Sequence, residues 1–366
     1  MRNSDCRLQS SCSLAWLSLL ASFLGSAAAA WAQQPTVAPI YGGQIVNEFF
    51  PQQPNVAFGP PPVEPVYLDS FAGPALHGQF ATDVYSTQSI QQQPARTSLP
   101  PGVRKSLFQR VFASGAYIPQ FEGDSLGIGT LEAGVVFGVP LLRPSTPLLI
   151  TPRFAVNFLD RPAGLDLPSE VYDAEVSFRH IRKFGEGPWA MNVAVTLGQY
   201  SDFESSDGDA FRVTGQAFAI YESSPAWTWV FGIVYLNRED LALIPAAGAI
   251  YKPNEDFKVD AILPRPRISW RLPGGRFHDG AARWVYLGGE FGGGIWSIDR
   301  SATVGQDLLT YNDYRLLVGI EKKGDLGVIN HSLEFGYVFG RELEFSSATP
   351  DVNLDDSLFV RVGLSY

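Results

Sequence analysis

The chain has 366 residues, of which 45 % are hydrophobic, 13 % aromatic and 17 % charged, with a formal net charge of −10 and a mean hydropathy of +0.01. A soluble domain usually carries about 25 % charged residues, so this chain is poor in charge and rich in rings without being hydrophobic on average. The combination excludes a bundle of membrane-spanning helices and a chain disordered throughout, and the acidic balance speaks against nucleic acid as a partner.

Residues 1–32 read as a secretory signal peptide. Arg2 and Arg7 form a basic start, Leu14 to Leu24 is an apolar stretch broken by Ser18 and Ser22, and Ala30-Trp31-Ala32 has the small-x-small form of a cleavage site. The apolar stretch is shorter than the roughly 20 residues a spanning helix needs. Cys6 and Cys12 lie inside this segment, so the exported chain is expected to carry no disulfide, thiolate ligand or cysteine nucleophile. With no cysteine at the cut, a lipid-anchored lipoprotein is not expected either. What remains has 25 basic against 36 acidic residues, a net charge of −11.

Residues 33–106 form a proline- and glutamine-rich stretch. Twelve of the 27 prolines fall between Gln33 and Pro101, with Pro60-Pro61-Pro62 and the glutamine clusters at 33–34, 52–53 and 91–93. Proline removes backbone donors and favours extended chain. The segment is therefore expected to be extended or disordered and periplasmic, a spacer or a docking element for a cell-wall partner.

From residue 107 to 366 strands of about ten residues follow one another with apolar residues at every second position. The last is the clearest: Leu358, Val360, Val362, Leu364 and Tyr366 alternate with Ser357, Arg361, Gly363 and Ser365, and Phe359 breaks the pattern. Period 2 over so long a stretch marks a sheet whose faces meet different media. A soluble sandwich would carry Lys, Glu and Thr on its second face. Here that face is rich in glycine, including Gly134, Gly198, Gly232, Gly292, Gly319 and Gly336, while Trp189, Trp227, Trp284, Trp296 and Tyr366 stand at strand ends. Small residues suit a curved, closed sheet, and rings at strand ends suit a membrane interface. The fold class expected is all-β, an antiparallel transmembrane β-barrel.

The export signal, the alternating strands and the terminal aromatic strand resemble bacterial outer-membrane β-barrels. In that class a C-terminal strand such as Leu358, Val360, Val362, Leu364 and Tyr366 implies recognition by the barrel-assembly machinery, with outer-membrane lipid as surroundings. The segment from Tyr235 to Asp240, followed by Pro245, Tyr251-Lys252-Pro253 and Leu263-Pro264-Arg265-Pro266-Arg267, resembles an uncharacterised barrel family typified by planctomycete proteins and known as a domain of unknown function. The resemblance implies fold and location and carries no catalytic residues.

Thirteen strand candidates are readable, whereas bacterial single-chain barrels have even numbers. The candidate at 257–271 switches its outward phase from Phe257, Val259, Ala261 and Leu263 to Ile268, Trp270 and Leu272, with Pro264 and Pro266 at the switch. A bulge, a true turn and a poorly formed first strand are all compatible with this. Twelve strands is the preferred count and fourteen the second. Parity counted back from the C-terminus places the acidic stretch 201–209 on the inner side, which signals that one strand is misassigned.

By strand phase, Glu132, Arg153, Glu175, Arg179, Arg212, Glu290, Arg315, Glu321, Glu334 and Arg361 share the face opposite the rings, five of each sign. A strongly ion-selective pore would carry a ring of one sign. Balanced charge fits ion pairs that prop a narrow interior, a polar passage for a small solute, or both. Arg238, Glu239, Asp240, Arg265 and Arg267 are dense charges beside the family-like motif, suited to pairing across strands or contacting a solute. His77, His180, His278 and His331 are not placed with a serine and an acid on one face as nucleophilic catalysis requires. Asp202, Glu204, Asp207 and Asp209 alternate around Gly208, yet lack the ordered pattern of a calcium loop. No cofactor or metal is expected. A passive or weakly selective channel for small solutes leads, a structural barrel anchoring residues 33–106 follows, and a membrane hydrolase is third.

Overall fold

The computed structural model describes residues 106–366 except 122–124, 142, 162–163, 186, 205–207, 238–242, 274–280, 301–303, 325–328 and 348. The expected signal peptide, the stretch 33–105, and Arg238, Glu239, Asp240, Asp207 and His278 lie outside the described residues.

Fifteen strands run in chain order: β1 Phe108–Ile118, β2 Gly127–Leu141, β3 Arg143–Asp160, β4 Glu170–Lys183, β5 Trp189–Ser201, β6 Phe211–Ser224, β7 Trp227–Tyr235, β8 Leu243–Asn254, β9 Phe257–Ile262, β10 Arg267–Arg271, β11 Ala282–Asp299, β12 Gln306–Lys323, β13 Asn330–Phe345, β14 Val352–Leu354 and β15 Ser357–Ser365. Neighbours in sequence pair antiparallel around the ring, β12 joins β13, and β15 pairs with both β13 and β1 to close it. The closing seam extends to the last residue, where Tyr366 and Val111 exchange backbone hydrogen bonds of 2.9 and 3.0 Å. Strand β14 pairs with the far end of β13, directly above β15. The two occupy one position in the wall, and the ring is a closed barrel of fourteen strands.

Fourteen is the second of the two expected counts, and the preferred twelve is corrected at 257–271. That segment is a hairpin of β9 and β10, with Phe257 opposite Trp270 and Arg267 opposite Asp260. Pro264 and Pro266 have no amide to give the ladder, and Arg265 N closes the turn on Ile262 O at 3.1 Å. The added strand moves residues 202–204 and 208–210 to the end of the barrel that also carries the described residues of the β1–β2, β3–β4, β7–β8, β11–β12 and β13–β14 connections. This is the long-loop end. Short links such as 225–226 and 255–256 mark the other, the short-turn end.

The outward face is apolar along whole strands: Trp227, Trp229, Phe231, Ile233 and Tyr235 on β7, and Leu316, Val318 and Ile320 on β12, are all exposed. Rings edge this belt. At the short-turn end Trp189 packs on Tyr221 and Trp227 on Tyr251, centroids 4.7 and 4.5 Å apart, and Phe257 meets Trp270 at 5.9 Å. Toward the long loops Tyr172 stacks on Phe203 at 4.8 Å and Tyr314 on Phe339 at 5.8 Å. An apolar band between two aromatic girdles is the outer surface of a barrel that spans a bilayer.

The inward face departs from a water-filled tube. Beyond the pairing of Gly288 with Arg267, strand β10 has no further residues to offer β11. Strand β11 stays paired with β12 and leans across the interior until Ser297 meets Ser201 of β5 in a parallel bridge. Asp202 N donates to Ser297 O at 3.2 Å, Asp299 N donates to the Asp202 carboxylate at 2.7 Å, and Trp296 Nε1 donates to Asp173 Oδ1 of β4 at 3.1 Å. Residues 292–298 are buried on both faces. Gly293, at φ 127°, lets the backbones close up, because a Cβ there would strike Tyr311 O. The β11–β12 hairpin continues as a paired ladder to Asp299 and Gln306.

Above the crossing, Ile118, Ile128, Trp296, Leu309, Tyr311, Leu343 and Phe359 belong to one apolar core inside the barrel. A second cluster, with Phe218, Ile220, Val230, Ala246, Ile250 and Ile262, lines the wall from β5 to β9. Phe359, the residue that broke the alternation of the last strand, points into the first core at 2 % exposure, with the guanidinium groups of Arg315 and Arg361 each 5.0 Å from its ring.

Candidate functional site

Three charged groups occupy the interior between these apolar clusters, and inward glycines leave the room for them. Glycine at 292 faces the Arg315 guanidinium and glycine at 319 the Tyr286 ring, so that any side chain at either position would overlap its neighbour. The small inward face thus reflects large side chains lying across it from adjacent strands.

The largest group centres on Glu290 of β11. Its carboxylate meets Arg265 at 2.9 Å, Arg361 of β15 at 3.0 Å and Arg315 of β12 at 3.3 Å. Arg361 also bonds Glu334 of β13, to which Tyr286 OH donates at 2.5 Å. Arg315 donates twice to Asp313, 2.8 Å each. Strand register produces the cluster, since Glu290 lies opposite Arg315, and Glu334 opposite Arg361.

The second group centres on Arg153 of β3, which bridges Glu132 of β2 and Glu175 of β4 at 2.5 Å each and reaches Asp173 at 3.7 Å. Ser114 donates to Glu132 at 3.1 Å, and Thr130 to Asn157 at 2.8 Å. In the third, Glu321 holds Arg267 and, at 3.0 Å, Lys323; the Arg267 guanidinium lies 3.5 Å from the centre of the Tyr286 ring.

All ten charged residues placed on the inward face by phase lie in the interior, and eight of them belong to these groups. Arg212 donates to Asn237 O at 2.7 Å, and Arg179 is buried on β4. Of the motif residues, Arg265 and Arg267 bind the carboxylates of Glu290 and Glu321 across the interior. Leu358, Val360, Val362, Leu364 and Tyr366 form the outward face of β15, opposite its buried Ser357, Phe359, Arg361 and Ser365. His180 and His331 are on the outer face of β4 and β13, and His180 Nδ1 has no hydrogen-bond partner. In the acidic loop Asp202 accepts from Glu204 N at 3.0 Å and ties that loop to β11. Among the described residues no group of three or more His, Cys, Asp or Glu is placed to hold a metal ion.

Sequence reasoning missed Asp173 and Asp313, although their inward phase was readable, and it missed Arg341. That side chain donates to Tyr311 OH at 2.9 Å, to Asp355 O at 2.9 Å and to Leu126 O, closing the long-loop end from inside. No local signal marks it, because its partners come from distant strands and connections.

Chemically, the interior offers paired charges and few uncommitted groups. Asn192 Oδ1 on β5, and both amide atoms of Gln216 on β6, are buried without a protein hydrogen-bond partner.

No curated protein matches the sequence. Among solved structures, OccAB1 of Acinetobacter baumannii is similar at 10 % identity and a TM-score of 0.30, covering 75 % of this chain and 99 % of that one. The outer membrane protein OpdK of Pseudomonas aeruginosa is similar at 9 % identity and a TM-score of 0.26, covering 70 % and 97 %. A family model described as a domain of unknown function, DUF6268, matches residues 163–366, more than half of the chain, and the chain belongs to that family.

Proposed function

We propose that the protein is an outer-membrane barrel that passes small polar solutes through a narrow interior with weak charge selectivity. The observation that carries this reading is the near balance of sign among the buried side chains inside a closed, lipid-facing wall: across the three groups seven carboxylates meet six cations, with three carboxylates on Arg153 and two cations on Glu321. A balanced lining favours neither cations nor anions strongly, and the amides of Asn192 and Gln216 offer hydrogen bonds to a polar solute. The leaning β11–β12 hairpin makes this a constricted form of the passage. Export through residues 1–32 and assembly through the β15 strand ending in Tyr366 belong to the same reading.

The refolded protein in a planar bilayer is expected to show small conductance steps with little preference between cations and anions. Silence, both with and without residues 33–106, overturns the channel. The apolar core inside the long-loop half supports the second reading, a filled barrel that anchors residues 33–106 to a cell-wall partner. Retention of the chain on purified cell wall, lost on deleting that segment, is its test.

A further inference from the structure

The wall has a notch within its apolar belt. The β8–β9 ladder ends with Gly248 opposite Ile262, and the β10–β11 ladder ends with Arg267 opposite Gly288. Gly248 is in turn opposite Val230 of β7, which lies between Trp227 of the short-turn girdle and Tyr235, where β7 ends. The turn 263–266 therefore stands part-way up the belt. Past it, residues 243–247 of β8 and 290–296 of β11 have, among the described residues, no strand between them. The opening is roughly 17 Å long beside β8, and the two absent strand ends leave roughly 10 Å across.

Backbone donors are costly in hydrocarbon, where no water can satisfy them, and the rim of the notch is short of them. Pro264 and Pro266 carry no N–H, Arg265 N is bonded to Ile262 O, and Gly289 N donates to Pro266 O at 2.9 Å. Pro245 falls in the stretch of β8 whose far side has no strand, the kind of position at which a paired strand tolerates proline. Pro245 and the run from Leu263 to Arg267 thereby gain a role that their place in the sequence motif left open. At the lower edge Leu263 is 62 % exposed. Behind the rim Ile244 and Phe291 pack on the second cluster, against residues that include Val234, Ala246 and Ile262. Apolar surface is thus continuous from the outer belt, over Leu263, to the inward face of β6 to β9.

We propose that this notch is a lateral port through which a single hydrocarbon chain passes between the bilayer and the second cluster, displacing Phe291 and Ile244. The occupant follows from what the apolar surface joins, since the belt on its outer side is the face that meets acyl chains. A polar solute gains little at a rim short of donors, and a peptide added as a strand would meet Pro245 where the ladder needs an amide. The port rests on the membrane-spanning reading of the barrel and adds an apolar route to the polar one.

The test uses the full chain refolded into phosphatidylcholine vesicles and irradiated with a palmitic acid analogue that carries a diazirine at its methyl end, with the adducts mapped by peptide mass spectrometry. Adducts are expected on the inward side of the notch, at Ile244, Ala246 and Phe291, as well as on the outward Leu316 and Val318. Adducts on Leu316 and Val318 alone overturn the port. Their absence from Leu316 and Val318 too would instead overturn the membrane-spanning reading on which the port depends. Ile244→Trp, which fills the mouth from β8, should abolish the adducts on Ala246 and Phe291 and leave that on Leu316, whereas Phe291→Ala should raise the adduct on Ala246. Labelling at Ala246 that changes in neither variant overturns the port, with heat-modifiable gel migration establishing that each variant is folded.

Discussion

The interior has two unlike sides. From β11 round to β4 the inward face carries, below the apolar core of its long-loop half, charged side chains that cross the interior to bond two or three strands away, with Glu290 and Arg153 as hubs. From β5 to β9 it is largely apolar, with Phe218, Ile220, Val230, Ala246, Ile250 and Ile262 in one cluster. Both sides obey the same alternation. What differs is strand length: β9 and β10 are short, whereas β11, β12 and β13 run far past them, and β11 with its partner β12 leans inward. A long wall that bends over itself has to satisfy buried backbone and charge by reaching across. A short wall has only its own surface to cover.

The largest expected effect falls on the charged side. Glu290→Ala removes the carboxylate shared by Arg265, Arg315 and Arg361, and although Arg315 keeps Asp313 and Arg361 keeps Glu334, breaking a buried ion pair at Arg265 costs about 3–5 kcal/mol. The heat-modifiable, folded band should fall sharply or vanish. A variant as stable as wild type would show that the cluster is wet and that the two sides do not differ in this way.

Next comes the wall itself. Leu316 is outward on β12 and 56 % exposed, and Leu316→Arg should cost about 2–4 kcal/mol when the belt is in a bilayer. Denaturant unfolding from vesicles measures it. A negligible cost would mean that lipid does not cover this face.

Trp296→Phe keeps a ring at the crossing and removes the indole hydrogen bond to Asp173, whose Oδ1 still accepts from Asn157 Nδ2 at 3.3 Å, and a hydrogen bond to a charged group is worth about 1.5–3 kcal/mol. Because the contact joins β11 to β4, single-channel conductance should rise as the hairpin loosens. Unchanged conductance would separate the hairpin from any passage.

The smallest effect belongs to the apolar side, where Ile250→Val removes one buried methylene and should cost about 0.5–1.5 kcal/mol without altering conductance. A conductance change there would move the route of a solute to the β5–β9 wall.

Much of this was legible before folding. Alternation alone assigns Glu132, Arg153, Glu175, Glu290, Arg315, Glu334 and Arg361 to one face, because side chains in a strand repeat every two residues. The prolines at 264 and 266 flagged the one segment whose strand count was wrong, but a turn and a bulge leave the same local trace. Phe359 was visible as an exception without a reason. The reason is a core and two guanidinium groups supplied from β12 and from its own strand. Trp296 looked like an interfacial ring and is instead 1 % exposed inside the barrel.

By itself the sequence determined the class of fold, the two faces of each strand and the sign balance of the inner one, since these follow from a period of two and from the chemistry of the residues that obey it. Only the tertiary structure decided the fourteenth strand, the pairing of charges around Glu290 and Arg153, and the leaning of β11 onto β5. Those depend on which strands become neighbours and how far each outruns the next, and a hydrogen bond between residues 123 positions apart, as from Trp296 to Asp173, has no local period to announce it.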